Sequence, residues 1–381
     1  MLEAVTAPVR SDRASCLVVG AGVVGLAVAW ELAKRGVAVR LLERDPHCGQ
    51  QASAAAAGML AAGVEAHAPG AFLDLCRRSA GRWRSWAEEL QADSGVDCEL
   101  VTSGLLRVSG RAEAVSDLEV RRAWQLTQGI QVSELLSLDQ LRAEVPGLSA
   151  TIVAGLLYPD EAHVHSHRVT EALELACHHR GVIVETGVEV KGLRFEAGVV
   201  SAETAAGERS ADLAVIAAGS WSGNLWDRLG VDASIEPVRG QIAALSLPPG
   251  TLPRIVFGDR GYVLQKRSGL VLVGATEEAA GFEPWPTLGG LGRLSAIAAD
   301  LLPALEGARF SHSWAGLRPH SPSGLLLGRV PATPRVLLAT GHHRNGVLLA
   351  PATADLLGRA VVEGADPLEL SPFSPRAGGS A

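Results

Sequence analysis

The stretch from Cys16 to Glu43 constrains the fold more than any other part of the chain. An apolar, β-branched run, Cys16-Leu17-Val18-Val19, enters Gly20-Ala21-Gly22-Val23-Val24-Gly25. A helical pattern from Leu26 to Lys34 leaves that turn, and Val37 to Leu42 reads as a second strand ending in Glu43. Strand, G-x-G-x-x-G, helix, strand and acid in that order make the βαβ pattern of a dinucleotide site. Each glycine has its own steric task. Gly20 permits the tight turn, Gly22 lets backbone approach a pyrophosphate, and Gly25 lets the helix pack closely on the sheet. The helix start offers N–H groups and partial positive charge to phosphates. Glu43 stands at about the ~20-residue spacing from which an acid accepts hydrogen bonds from a ribose. The alternative is a glycine-rich turn packed closely for its own sake.

Composition narrows the class. A chain of 381 residues has room for about two to three domains and a large core. With 47% hydrophobic and 20% charged residues it is globular. A net charge of −7 with dispersed basic residues gives no general attraction to nucleic acid or an anionic membrane. The five cysteines, Cys16, Cys48, Cys76, Cys98 and Cys177, are odd in number and include no C-x-x-C, which fits a reduced setting. Ala14 to Trp30 is uncharged, but it is short of the roughly 20 residues a membrane span needs. Its glycines fall on the nucleotide pattern, and residues 1–13 read as a loose tail without an apolar signal core. The expectation is a soluble, cytoplasmic protein.

Beyond Glu43 the chain reads in order. A polar turn leads to Ala52-Ser53-Ala54-Ala55-Ala56-Ala57-Gly58-Met59-Leu60, whose small side chains let backbone approach a flat ligand or simply start a helix. Phe72, Leu75, Cys76, Trp83, Trp86 and Leu90 recur at helical spacing, so one helix with a buried stripe spans about 70–92. Residues 98–108 read as two short strands and 111–128 as a helix. Ser137 and Gln140 have the capping-box form for a short helix ending before Pro146. Ile152 to Tyr158 reads as a strand. His163, His165 and His167 alternate, but no carboxylate or cysteine completes a metal-ligand set, and a polar loop or helix start is the ordinary reading. A helix follows to Arg180. Strands at 182–185, 188–193 and 199–204 lead to a buried strand, Asp212 to Ala218, whose exit at Gly219 suits a second approach of a sheet to the nucleotide.

After residue 236 the pattern changes. Pro237–Leu247, Ile255–Phe257, Tyr262–Lys266 and Leu270–Val273 are strand-like with no helix between them, which marks a second, antiparallel domain. A loop at 276–287, a helix at 288–302 and strands near 310–317 and 336–339 follow. Gly341-His342-His343-Arg344-Asn345-Gly346 opens a last helix to about Val362, and residues 364–381 read as a frayed tail.

These residues resemble a known family. The glycine turn, the alanine run ending Gly58-Met59-Leu60 and Val273-Gly274-Ala275-Thr276 resemble the D-amino-acid oxidase superfamily of FAD enzymes. Trp314-Ala315-Gly316-Leu317-Arg318-Pro319 and the segment from Gly341 to Pro351 resemble the ThiO-type glycine oxidases within it. The resemblance runs from about residue 14 to 362. It implies an α/β fold: a Rossmann-like FAD-binding domain (14–94, 162–235 and 314–364) interleaved with an antiparallel-sheet substrate domain (95–161 and 236–313), with tails at 1–13 and 365–381. It implies non-covalent FAD and a homo-oligomer, commonly a tetramer. By position, Val23, Val24, Glu43 and Arg44 meet the adenosine and phosphate end. Val188 touches the adenine through its backbone. Ala52, Ser53, Ala57, Gly58 and Met59 line the flavin side, and His342, His343, Arg344, Asn345, Gly346, Val347 and Leu348 run under the isoalloxazine.

The substrate end follows from charge and from the same resemblance. A desolvated amino-acid carboxylate needs a paired cation, and arginine binds it in two-pronged fashion. Arg318 matches the family position for this, Arg344 a second substrate contact, and Tyr262 a phenol that helps hold the carboxylate. Two residues depart from the pattern: His343 stands where a larger aromatic ring is expected, and Glu277 where an uncharged side chain is common. The implied activity is oxidative deamination of glycine and other small amino acids with oxygen as acceptor, giving glyoxylate, ammonia and hydrogen peroxide, in thiamine thiazole synthesis. A sarcosine or D-amino-acid dehydrogenase, a flavin-binding protein without turnover, and, from the glycine turn alone, a nicotinamide-dependent dehydrogenase are the alternatives.

Overall fold

The computed structural model describes residues 14–196, 198–226 and 229–376. Residues 1–13 and 377–381, both expected in tails, lie outside the described residues. The strand Ala14–Val19 sits at the centre of an eight-stranded sheet, parallel to Val39–Leu42 on one side and to Gly207–Ile216 on the other. Thr333–Thr340 and Ile183–Glu185 extend the parallel centre outward. Side chains alternate across a strand, and here both faces are covered. Cys16 and Val18 enter a core shared with the helices Val23–Lys34, Ala71–Ser94, Ser166–His179 and Gly346–Glu363. Leu17 and Val19 enter a second core against the antiparallel pair Val190–Glu196 and Val199–Thr204.

The second sheet has seven strands in the order Arg309–His320, Glu236–Ser246, Leu270–Gly274, Tyr262–Gln265, Ile255–Phe257, Leu105–Ser109 and Ala154–Tyr158. It is antiparallel except where Ile255–Phe257 runs parallel to Leu105–Ser109. The boundary placed at 313/314 falls inside Arg309–His320, which stays paired to Glu236–Ser246 as far as His320.

Other sequence expectations are met or corrected with clear causes. The stripe helix runs Ala71–Ser94, and Trp83 and Trp86 pack edge-on with Trp30 in the core. Both hydrogen bonds of the Ser137–Gln140 capping box form. His165 caps the helix Ser166–His179, and His163 lies on the short strand Ala162–His163. Of the two strands expected at 98–108 only Leu105–Ser109 forms, with an isolated bridge from Val101 to His163. The strand expected from residue 188 starts at Val190, because the Val188 N–H donates instead to the Glu43 carbonyl at 2.7 Å. Leu326–Val330, between the strands expected near 310–317 and 336–339, is a further strand, paired to Thr333–Thr340. The tail expected to fray from 364 is held through residue 376. Asp366 accepts the Arg329 N–H at 2.7 Å, and Leu370 and Phe373 are buried in the main core.

Pro351 lies inside the closing helix Gly346–Glu363, where it has no N–H for the helical ladder. Ser79 and Trp83 repair the break. The Leu348 carbonyl accepts from Ser79 Oγ at 2.7 Å and Trp83 Nε1 at 3.0 Å, while the Ala352 N–H donates to Ser79 Oγ at 3.2 Å. Two core helices are thereby locked at the end that starts beside the cleft.

Candidate active site

Two cavities share Gly22, Ala52, Ser53, Ala217 and Gly219 and form one cleft from the first sheet to the second. Its nucleotide end is shaped by backbone. Gly20 has φ of +101°, and a Cβ there would stand 2.6 Å from the Ala217 carbonyl oxygen. A Cβ on Gly25 would overlap the Gly20 carbonyl. Glu43 accepts the Ala21 N–H at 2.6 Å and the Asp45 N–H at 2.9 Å, and burial raises its pKa. Arg44 lies 4.1 Å over the Trp221 ring at the same end, and Val188 lines it.

The middle of the cleft lies between two helix starts. At the first, the Val23 N–H donates to Ser53 Oγ at 2.9 Å, which ties the alanine run to the glycine turn. At the second, Asn345 precedes Gly346–Glu363, and Gly346 and Val347 line the cavity. A helix start leaves its first N–H groups without acceptors in the helix. Ala57, Gly58 and Met59 form the facing wall. Gly58 has φ of +78° and lies against the Val164 carbonyl, so a side chain does not fit there.

The far end is polar. Arg318 reaches in from Arg309–His320, half-buried, with its guanidinium against the Cα of Gly240 on the paired strand, where a Cβ would overlap it. It donates to the Thr276 carbonyl at 3.0 Å, and among the described residues no carboxylate forms an ion pair with it. Burial lowers its pKa, but a guanidinium remains charged. Tyr262 lies in the same cavity, its ring accommodated by Gly274 across the strand pair. Burial raises the Tyr262 pKa, so its phenol keeps a proton to donate. Arg344 is placed differently, with Glu277 Oε1 at 3.3 Å and Glu65 Oε1 at 3.4 Å. His342, buried and 3.1 Å from Thr353 Oγ1, has its pKa lowered to about 3 by burial. His343 is lowered to about 4, first by burial and then by Arg318. Both imidazoles are neutral at pH 7, so the positive charge at this end comes from the two arginines.

Of the residues singled out in the sequence, Gly20, Gly22, Val23, Val24, Glu43, Arg44, Ala52, Ser53, Ala57, Gly58, Met59, Val188, Gly219, Tyr262, Arg318, His342, His343, Arg344, Asn345, Gly346 and Val347 line the cleft. Gly25 does not, because its part is helix packing. Leu348, expected under the isoalloxazine, does not line the cleft: its side chain is 1% exposed in the main core and its carbonyl belongs to Ser79 and Trp83. Three contributors were missed. Glu65 gave no signal at the end of a four-residue helix. The Thr276 carbonyl is invisible to side-chain reasoning. Gly240 could have been found, since a glycine inside a strand pattern marks close approach of another group.

The two sheets and the cleft between them have the form of a dinucleotide-binding protein, and comparison with known proteins makes the class specific. Residues 15–360 match the family model DAO, FAD dependent oxidoreductase, and the chain belongs to that family. It is similar to the glycine oxidase of Bacillus licheniformis, 32% identical over 92% of this chain and 93% of that one. It is similar to the glycine oxidase of Pseudomonas aeruginosa, 34% identical over 94% and 98%. It is 34% identical to the bifunctional protein ThiO/ThiG of Synechocystis sp. over 94% of its own length, spanning 53% of that longer protein. The crystal structure of glycine oxidase from Geobacillus kaustophilus superposes with a TM-score of 0.92 at 31% identity, covering 97% of this chain and 100% of that one. The chain is an FAD-dependent enzyme of the amino-acid oxidase class.

The cleft suits FAD on its own chemistry. It offers a half-buried acid at one end, two helix starts for charged groups, and a wall of small alanine and glycine residues between them. Among the described residues no helix is long and apolar enough to cross a membrane, and no His, Cys, Asp and Glu cluster could hold a metal ion.

Proposed function

We propose that this enzyme oxidises glycine and other small amino acids, sarcosine and small D-amino acids among them. With glycine, oxygen and water it yields glyoxylate, ammonia and hydrogen peroxide. The observation that carries this reading is Arg318: a half-buried guanidinium with a backbone carbonyl for a partner and a protonated phenol in the same cavity. Such a cation is balanced by an incoming carboxylate, which it grips with two parallel N–H bonds. FAD, held by the glycine turn, Glu43, the alanine run and the Gly346 helix start, would supply the two-electron oxidation of the substrate, with oxygen as the final acceptor.

The protein's own residues bind and orient. Arg318 fixes the carboxylate and with it the direction of the α-carbon, and positioning of this kind contributes up to about 7–11 kcal/mol in ideal cases. Tyr262 donates its phenolic proton to the same carboxylate. With both histidines neutral, no side chain need act as base if the amine is deprotonated. The N–H groups at Gly346 and Val347 stabilise negative charge that develops across the cleft. In the same reading, the segments 14–94, 162–235 and most of 314–364 carry the cofactor, and 95–161 with 236–313 carry the substrate wall. The similarity to a ThiO/ThiG protein favours a place in thiamine thiazole synthesis. A peroxide-coupled assay over glycine, sarcosine, D-alanine and D-proline tests the reading. Turnover of glycine or sarcosine with one peroxide per substrate is expected. Substrate oxidation without peroxide would assign another acceptor, and no oxidation of any of the four would refute it.

A further inference from the structure

The two arginines of the cleft differ in how their charge is met. Arg318 faces a neutral carbonyl and a phenol. Arg344 lies between two carboxylates, Glu65 from the alanine-run side and Glu277 from the loop after Leu270–Gly274. That loop is held, not free. Arg239 and Glu278 exchange backbone hydrogen bonds at 2.9 and 3.0 Å, and the Gln241 N–H donates to Thr276 Oγ1 at 3.0 Å. Thr276, Glu277 and Glu278 therefore present, in succession, a carbonyl to Arg318, a carboxylate to Arg344 and a carboxylate to Arg239. The polar end holds two guanidiniums against two carboxylates. The neighbouring imidazoles, His342 and His343, add no charge at neutral pH.

We propose that Glu277, acting with Glu65, occupies Arg344 so that the site accepts acids with one carboxylate and refuses those with two. The inference rests on the reading that Arg318 binds a substrate carboxylate. With the first carboxylate on Arg318, a second one on the same small molecule reaches the Arg344 side of the cavity. There it meets a guanidinium already paired, with Glu65 in the cavity wall and Glu277 holding the same guanidinium. Like charges brought together in a binding site oppose association. A zwitterion such as glycine or sarcosine brings no second negative charge. Glu277 is half-exposed, with a side-chain exposure of 47%, so its replacement by the isosteric amide is compatible with folding. Glu277 is thus a specificity residue acting through Arg344.

The test uses the FAD-loaded enzyme and two unreactive acids that differ by one carboxylate. Methoxyacetate has the shape of sarcosine, and diglycolate the shape of iminodiacetate, with oxygen in place of nitrogen. Dissociation constants are read from calorimetry and from the shift in flavin absorbance. Wild type is expected to bind methoxyacetate at least tenfold more tightly than diglycolate. Glu277→Gln should move that ratio at least tenfold toward diglycolate with little change for methoxyacetate, and Arg344→Met in the same background should reverse the gain. In turnover, the Gln variant should lower KM for iminodiacetate more than it changes kcat. Equal binding of the two acids by wild type, or a ratio that moves less than twofold in Glu277→Gln while methoxyacetate still binds, would overturn the inference. Failure of wild type to bind either acid would instead remove the Arg318 reading beneath it.

Discussion

The two ends of the cleft are built in different ways. The nucleotide end is made by backbone: a positive-φ glycine against the Ala217 carbonyl, a second glycine seated on the first, and an acid that accepts two backbone N–H groups. The opposite, polar end is made by long side chains brought together from five separate segments, those of Glu65, Tyr262, the 276–278 loop, Arg318 and Arg344. A site made of backbone tolerates no added atom but needs few particular side chains. A site made of charges tolerates atoms at its rim, yet a single changed side chain alters what it binds. The contrast is open to direct attack from either end.

Arg318→Ala should show the largest effect. Removing one partner of a buried charge pair costs roughly 2–5 kcal/mol. That corresponds to a fall in kcat/KM for glycine of about thirty-fold to several thousand-fold, dominated by KM, with FAD content unchanged. Near-normal KM would show that the carboxylate is held elsewhere. Gly25→Ala tests the other end. Its methyl group would press on the Gly20 carbonyl, and overpacking of this kind costs about 1–3 kcal/mol. The melting temperature should drop and FAD should dissociate more readily, while KM of the loaded fraction stays normal.

The difference between the ends also explains what could be read in advance. Glycine spacing and an acid at a fixed offset are local, so the turn, its helix and Glu43 could be placed from sequence alone. Arg318, Arg344 and Tyr262 were legible through resemblance and not through spacing, since they lie on three segments whose meeting is a tertiary fact. Glu65 was not legible at all, because nothing near it announces that it ends beside a residue 279 positions away. The burial of the Leu348 side chain was hidden for a related reason. The helix start does line the cleft, but one residue further on the chain has turned inward, where Ser79 and Trp83 repair the break at Pro351. That repair needs a partner helix and leaves no mark in the local pattern. The 364–376 segment, rich in small and proline residues, looked loose until Asp366 and the buried Leu370 and Phe373 could be seen.

Two smaller effects sharpen the comparison. Ser53→Ala leaves the Val23 N–H without its acceptor and unties the alanine run from the glycine turn. A lost cap of this type costs about 1 kcal/mol. A drop in melting temperature of a few degrees, with a modest weakening of FAD binding, is expected in calorimetry. Glu278 gives the pH dependence of the loop that carries Glu277. Burial opposes its charge, but hydrogen bonds from Arg239, Thr276, Arg293 and Gln241 outweigh it and bring its pKa down from 4.5 to about 2. A carboxyl depressed in the folded state stabilises that state above its unfolded pKa and loses the contribution as pH falls through the folded one. Stability should therefore decline between about pH 4.5 and pH 2, and Glu278→Gln should flatten that part of a denaturation-versus-pH curve. An unchanged slope would show that the loop is held by its backbone bonds alone.

The most direct test of the account is an anaerobic glycine titration of the yellow, FAD-loaded enzyme beside its Arg318→Ala variant at matched flavin content. The account predicts that glycine bleaches the wild-type flavin, and that the variant keeps its flavin but requires glycine concentrations higher by orders of magnitude. Bleaching of both proteins at the same glycine concentration, or of neither, would contradict it.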